Sequence, residues 1–120
     1  MKKAVELSEI ILNEINLYCD MYIAEDGRIN HTESSIQMLN DIIEKGFSLY
    51  KYCVDKKLYE NNPDLVIYLN NVAEYIKKLQ ITKENANKLY LSNALMIWEQ
   101  AKVSIAILAN SILDINNQES

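Results

Sequence analysis

Residues that form turns are scarce in this chain. Its 120 residues include two glycines and one proline, and these residue types mark most turns and loops. The scarcity argues against a fold with many tight turns and favours long helices joined by few connections. A chain of this length is expected to form one domain, residues 1–120, which buries about two-thirds of its unfolded surface.

Positive charge is also in short supply. Twelve Lys and Arg residues stand against 17 Asp and Glu residues, so the net charge is −5, with a pI near 4.8. The lysine pairs at 56–57 and 77–78 are short and lie among acids, whereas duplex DNA requires a stripe of Lys and Arg on one face. We therefore expect no nucleic-acid partner.

Long hydrophobic runs are absent. The most hydrophobic window, residues 91–113, is interrupted by Glu99 and Lys102, so it does not predict a membrane span. Glu6 and Glu9 interrupt the N-terminal segment that would be apolar in a signal peptide. These features predict a cytoplasmic protein without a membrane partner.

The 16 isoleucines, 14 asparagines and single arginine fit an AT-rich genome and favour a low-GC bacterium or its phages.

Cysteine is rare as well, and both cysteines are predicted to be free. If the first two helices form an antiparallel hairpin, Cys19 and Cys53 lie on the order of 20 Å apart. A disulfide cannot span that distance. Both residues lie on the core side of their helices, which predicts buried thiols in a reducing cytoplasm.

Apolar residues recur at helical spacing through most of the chain. The pattern predicts an all-α fold, an antiparallel up-down four-helix bundle with a long C-terminal helix. The predicted helices span about residues 4–24, 33–57, 63–79 and 83–116. The residues expected to form the core faces are Ala4, Ser8, Ile11, Ile15, Tyr18 and Tyr22, then Ile36, Leu39, Ile43, Gly46, Tyr50 and Cys53, then Leu65, Leu69, Val72, Ile76 and Leu79, and finally Leu91, Ala94, Trp98, Ala101, Ile105, Ala109 and Ile112.

Few residues define the predicted helix boundaries. Gly27 can adopt the positive φ that ends helix 1, and Asn30 or Thr32 can cap helix 2. Pro63 favours the start of helix 3, and Thr82 is the expected cap of helix 4. At 1.5 Å per residue, helix 3 spans about 24 Å and helix 4 about 50 Å. Helix 4 should therefore break near residues 92–93 or pack its C-terminal half on a second copy.

Two predicted helices carry more apolar residues than a bundle core needs. Helix 4 has a second apolar stripe opposite its core face, formed by Leu89, Met96, Val103 and Ile107. Helix 1 has a widened apolar arc that includes Ile10, Leu17 and Met21. Surfaces of this kind are usually covered by another molecule. We expect helices 1 and 4 to supply a self-association surface, with a dimer favoured.

Glu14 and Gly46 permit two interpretations. Glu14 projects into an apolar arc, where a carboxylate needs a lysine or tyrosine partner, has a raised pKa, or orients a ligand. Gly46 is a helix-interior glycine that costs roughly 1 kcal/mol relative to alanine. Its absent side chain either makes room for Trp98 or Tyr18 or opens a small-molecule pocket near Glu14, Gly46 and Trp98. Packing is the favoured interpretation.

No catalytic or metal-binding motif is complete. The segment Asp26-Gly27-Arg28-Ile29 with Glu33 resembles half of an EF-hand loop, but Tyr22 and Ala24 stand where the first carboxylates belong. The single histidine, His31, lacks a second ligand at zinc spacing. The paired acids Glu6 and Glu9, and Asp41 and Glu44, have the spacing with which helical hydrolases hold Mg²⁺, but they are expected to face water. We predict no cofactor, no metal and no enzymatic activity.

These observations favour a non-enzymatic, acidic helical protein that acts by protein–protein binding, first to itself and then to a protein partner. Small regulators, immunity proteins and phage-type inhibitors share this physical profile. Tyr52 and Tyr59 fall outside the core arc and are the expected surface anchors. The alternative is a small-molecule-binding or sequestering bundle with an interhelical pocket. A metal-dependent helical hydrolase is a less favoured third interpretation.

Overall fold

Four α-helices make up most of the part of the chain that the structure describes. A computed structural model describes the backbone of residues 1–84 and 91–119 and the side chains of 1–79 and 95–118. The helices are α1 (Lys2–Tyr22), α2 (Glu33–Asp55), α3 (Leu65–Glu84) and α4 (Leu91–Glu119), and a short 3₁₀ helix covers Leu58–Glu60. The predicted all-α bundle is confirmed.

The connection between α1 and α2 is a compact turn. Gly27 has the predicted positive φ, +85°, but it does not end α1, because the helix ends at Tyr22 with an extended Ile23 as its C-cap. Gly27 instead shapes the turn, and an isolated antiparallel bridge joins Ile23 to Ile29. Thr32 caps α2: its hydroxyl accepts from the Ser35 amide at 3.1 Å, and the Ser35 hydroxyl accepts from the Thr32 amide at 2.7 Å. Of the two predicted caps, Thr32 is the one that forms.

The boundary between α3 and α4 differs from the prediction. α3 continues to Glu84 instead of ending at Leu79, so Thr82 lies inside α3 and is not the cap of α4. No glycine or proline follows Pro63 in the sequence, and nothing therefore stops the helix at Leu79. The start of helix 4 at residue 83 is wrong for the same reason.

α4 is continuous across the predicted break. It runs from Leu91 through residues 92–93 to Glu119 without interruption. α3 has 20 residues and α4 has 29, which correspond to about 30 Å and about 43 Å. The mismatch in length is therefore about half of the predicted one, and much more of α4 has α3 beside it.

The core lies where the four helices meet, with α4 in contact with each of the other three. Most of the predicted core residues with described side chains are buried, whereas Tyr22, Ile36, Tyr50, Ile76 and Trp98 are half-buried. The prediction omitted Ile42, Leu49 and Leu108, which are fully buried. The side chains of Leu91 and Ala94 lie outside the described residues.

Gly46 brings α2 close to α4. A Cβ atom at Gly46 would lie within 3.0 Å of three carbon atoms of the Ile105 side chain, closer than carbon atoms pack. The predicted role in packing is confirmed, but Ile105 takes the space in place of Trp98 or Tyr18. Both cysteines are free as predicted, with Cys53 buried and Cys19 half-buried.

Candidate interaction surface

The outer face of α4 is a narrow strip with almost no charge. Between residues 95 and 118 the exposed positions are 96, 100, 103, 107, 110, 114, 117 and 118, so the first seven are alternately four and three residues apart. We call Met96, Gln100, Val103, Ile107, Asn110 and Asp114 the α4 strip. Met96 is 62% exposed, Val103 55% and Ile107 46%. The outward apolar stripe predicted from the sequence is thus solvent-exposed at these three residues, and Leu89 lies outside the described residues.

The predicted residues of helix 1 are exposed to a similar degree. Ile10, Leu17 and Met21, which we call the α1 stripe, each expose about half of their surface. Their spacing of seven and then four residues equals that of Met96, Val103 and Ile107 on α4. Large apolar side chains exposed in rows, rather than singly, are typical of interaction surfaces.

The α1 stripe borders α2. On a helical projection, Glu14 lies between the buried face of α1 and the α1 stripe. Its carboxylate accepts a hydrogen bond from the Lys45 ammonium of α2 and forms an ion pair with it. On the same side of α1, the Lys3 ammonium lies 5.6 Å from the centre of the Tyr52 ring, also of α2. This margin of α1 therefore faces α2.

The α4 strip, in contrast, borders α1. Glu99 projects between the buried face of α4 and the α4 strip, and its carboxylate accepts a hydrogen bond from the Tyr18 hydroxyl of α1. α1 packs against both α2 and α4. Next to the α1 stripe, the exposed face of α1 is a polar wedge that includes Glu9, Asn13, Asn16 and Asp20.

This polar wedge borders the α1 stripe on the side of α1 away from Glu14. The self-association surface expected from helices 1 and 4 stays a prediction. The sequence placed both rows correctly on their own helices. The sequence does not predict the relative position of the two rows, because the rotation of one helix about its axis relative to another depends on tertiary packing.

A buried polar cluster lies beside the α4 strip. The Lys102 ammonium donates to Glu99 at 2.6 Å and lies 4.6 Å from the centre of the Tyr18 ring. Lys102 is only 6% exposed and Tyr18 is fully buried. Burial and the hydrogen bond to Glu99 raise the pKa of Tyr18 well above its ordinary value. The phenol therefore stays protonated and donates, so the cluster fastens α1 to α4 through a charged and satisfied network.

The sequence contains no clear sign of this cluster. Glu99 and Lys102 interrupt the most hydrophobic window of the chain, whereas the structure buries most of both side chains. The sequence holds one weak signal that Lys102 is buried. Lys102 directly follows the small core residue Ala101 and lies three positions before the core residue Ile105, on the edge of the buried face. The Tyr18 hydroxyl is the hydrogen-bond partner of Glu99, and these two residues are 81 positions apart in the chain.

The residues of the predicted ligand pocket have other partners. Glu14 pairs with Lys45 as a desolvated carboxylate requires, and its second oxygen, Oε2, is buried and accepts no hydrogen bond from the described residues. Asp41 accepts a hydrogen bond from the Gln37 amide at 3.1 Å. Ile105 fills the space at Gly46, and Trp98 packs half-buried against the core. Ligand binding by these residues stays a prediction.

Acidic residues and His31 do not come together as metal ligands. In the described part of the chain, no group of three His, Cys, Asp or Glu side chains is placed to hold a metal ion. His31, Glu6, Glu9 and Glu44 are exposed, and Asp41 is half-buried. In the EF-hand-like segment, the Asp26 carboxylate forms an ion pair with Arg28 at 2.7 Å.

The tyrosines expected as surface anchors are partly covered. Tyr52 and Tyr59 are half-buried and pack against the core.

None of the described helices combines the length and apolar character needed to cross a membrane. Comparison with protein families, characterised proteins and solved structures finds no match to this chain.

Proposed function

We propose that this chain is a non-enzymatic binding protein and that the α4 strip joins it to a second copy in a dimer. The observation that carries the proposal is the composition of the strip. Three of its six side chains are apolar and about half-exposed, two are uncharged amides, and only Asp114 is charged. A solvent-facing helix is normally rich in charge, whereas the centre of a protein interface is depleted of it.

The expected dimer is weak. Fully burying a Val, Ile or Met side chain stabilises by about 1.5–3 kcal/mol. Met96, Val103 and Ile107 are about half-exposed, so the dimer gains about half of this free energy for each of them. For three residues on each of two copies the gain is roughly 5–9 kcal/mol. Association costs an estimated 4–15 kcal/mol in lost freedom of motion. The flanking surface of α1 must therefore contribute, and we expect a dissociation constant in the micromolar range or weaker.

The α1 stripe provides a second surface, which we assign to a protein partner. It lies on a different helix from the α4 strip and borders α2, so we expect that both surfaces can be occupied at once. A regulator, an immunity protein or an inhibitor of phage type would use such a surface to hold a target. An amphipathic helix with apolar side chains at helical spacing is the kind of segment that matches a row of this shape.

Replacement of two strip residues tests the α4 surface. The variant Met96→Glu with Val103→Glu should stay monomeric at concentrations at which the wild type dimerises, because both acids would be buried at the interface. Its far-UV circular dichroism should match that of the wild type, since the core face of α4 is unchanged. Sedimentation velocity over a concentration series measures the assembly.

The matched control carries the same charge change elsewhere. Val66→Glu with Ile67→Glu alters two exposed apolar residues of α3, and this variant should dimerise like the wild type. A wild type that sediments as a monomer at every concentration contradicts the proposed dimer. A strip variant that dimerises normally contradicts the assignment to the α4 strip.

A further inference from the structure

The exposed residues of α4 follow the seam spacing of a coiled coil. Positions alternately three and four residues apart average 3.5 residues per turn, and this spacing keeps a seam facing a second helix that runs nearly alongside. The α4 strip spans 19 residues, from Met96 to Asp114, or about 27 Å of helix. The surface is therefore shaped for one helix lying along α4, and not for a helix crossing it steeply.

The charge pattern of the strip indicates which helix that is. A basic helix would find only Asp114 to pair with along the strip, and an acidic helix would find no cation. A second α4 strip supplies apolar residues for apolar residues and amides for amides, with a single acid near one end. The strip is thus complementary to its own copy, as a two-fold interface requires.

The position of Asp114 determines the direction of the second helix. In a parallel pair, each strip residue meets its own counterpart, so Asp114 would face Asp114 of the partner subunit in the seam. Like charges directly opposed are destabilising. In an antiparallel pair centred between Met96 and Ile107, the two carboxylates lie about 37 Å apart along the helix axis.

We propose that two copies of this chain pair α4 against α4 in antiparallel orientation, with the two-fold axis passing between Met96 and Ile107. The inference rests on the proposed dimer and specifies its geometry. In this arrangement Met96 packs beside Ile107 of the partner subunit, and Gln100 lies beside Val103 of the partner subunit.

Distances between spin labels on the two copies test the orientation. One label is attached at Gln118→Cys and, in a second protein, at Asn110→Cys, and both positions are exposed. Both proteins carry Cys19→Ser. Cys53 is retained because it is buried and its burial raises the pKa of the thiol to about 11, so it reacts poorly near neutral pH.

In an antiparallel pair, the intermolecular distance should be longer for labels at Gln118 than for labels at Asn110. Eight residues at 1.5 Å on each of two copies give a difference of about 24 Å. Pulsed electron paramagnetic resonance measures both distances, and sedimentation checks that each labelled protein is a dimer. Equal distances at the two positions would show a parallel pair and overturn the inference, while the proposed dimer would stand. The absence of any intermolecular coupling at dimer-forming concentrations would overturn both.

Discussion

Gly46 lies on the buried face of α2, where the side chain of Ile105 occupies the space that a Cβ atom would fill. Gly46→Ala should therefore lower the free energy of unfolding by about 1–3 kcal/mol, as overpacking of a core does. The better helix propensity of alanine offsets roughly 1 kcal/mol of that loss. Urea unfolding followed by circular dichroism gives the change.

The control for Gly46→Ala is the exposed position Ser48→Ala, which should alter stability by less than about 0.5 kcal/mol. The double variant Gly46→Ala with Ile105→Ala should show a favourable coupling energy, because alanine at 105 lacks the three side-chain carbon atoms that the new methyl group would meet. If the effects of the two substitutions on the free energy of unfolding are additive, Ile105 does not determine the cost of Gly46→Ala.

Cys53 makes the stability of the fold sensitive to alkaline pH. Burial raises the pKa of its thiol from 9.0 to about 11, so between these values the unfolded chain releases a proton that the folded chain keeps. The stabilisation is complete below pH 9 and is lost as the pH rises toward 11. Between pH 9 and pH 10 the expected loss is about 1 kcal/mol.

Cys53→Ala should lack this loss over the same interval, although a small cavity lowers its stability at every pH. The interval below pH 10 isolates Cys53, because the raised pKa of Tyr18 adds a similar effect only above its ordinary value of 10.0. Urea unfolding of both proteins at pH 9 and pH 10 gives the two slopes. Equal slopes for the wild type and Cys53→Ala would contradict the assignment of the loss of stability to Cys53.

At the scale of single residues, the sequence predicted burial well and partners poorly. Helical periodicity identified the core side of each helix, and the need of Glu14 for a partner followed from its position in an apolar arc. Lys45 and the cluster of Tyr18, Glu99 and Lys102 could not be identified in this way. Long side chains reach across helix boundaries, and their contacts depend on distances between helices that one-dimensional periodicity does not contain.

The connection from α2 to α3 contains one residue in an unfavourable backbone conformation. Lys57 has a φ of +53° and a ψ of +41°, a left-handed conformation that costs a residue with a side chain about 1 kcal/mol. Lys57→Gly should therefore stabilise the protein by up to about 1 kcal/mol, because glycine adopts this conformation without strain.

The neighbouring residue provides the control for Lys57→Gly. Lys56 has a φ of −90°, so Lys56→Gly gains no relief and should destabilise by about 0.5–1 kcal/mol through the greater freedom of the unfolded chain. Both lysines are exposed, and both variants lose one positive charge. Thermal unfolding should therefore give shifts of opposite sign, and shifts of the same sign would contradict the backbone explanation.

Three of the four helices were predicted within two residues at their start, and the exception was informative. Capping residues and Pro63 defined the starts of α2 and α3, because these signals act through local hydrogen bonds and fixed dihedral angles. The end of α3 had no such signal. The sequence from residue 80 onward favours helix continuously, so only the tertiary structure decides where one helix ends and the next begins.

For the whole molecule, net charge should control assembly. Each chain carries a charge of −5, and pairing two copies brings these charges together, while the α4 strip itself has one acid and no base. Raising the ionic strength shortens the Debye length from about 30 Å at 0.01 M to about 8 Å at 0.15 M. The dimer should therefore become tighter as sodium chloride is added.

Sedimentation equilibrium at increasing salt measures this dependence. The Met96→Glu with Val103→Glu variant is the control and should stay monomeric in the same series. A wild-type dimer that weakens with salt would mean that ion pairs hold the two copies together, and the uncharged strip would then not be their contact.

The exposed α1 stripe has a consequence for affinity. If the proposed pairing through the α4 strip leaves the α1 stripe uncovered, each subunit of the dimer retains a free α1 stripe. The dimer is then a bivalent ligand, and a target that displays two matching helices within reach can be held by both at once. The second contact forms at a high effective concentration, so the combined affinity can exceed that of one contact by about 10²–10⁴. Weak dimerisation would in this way make target binding depend steeply on the concentration of the chain.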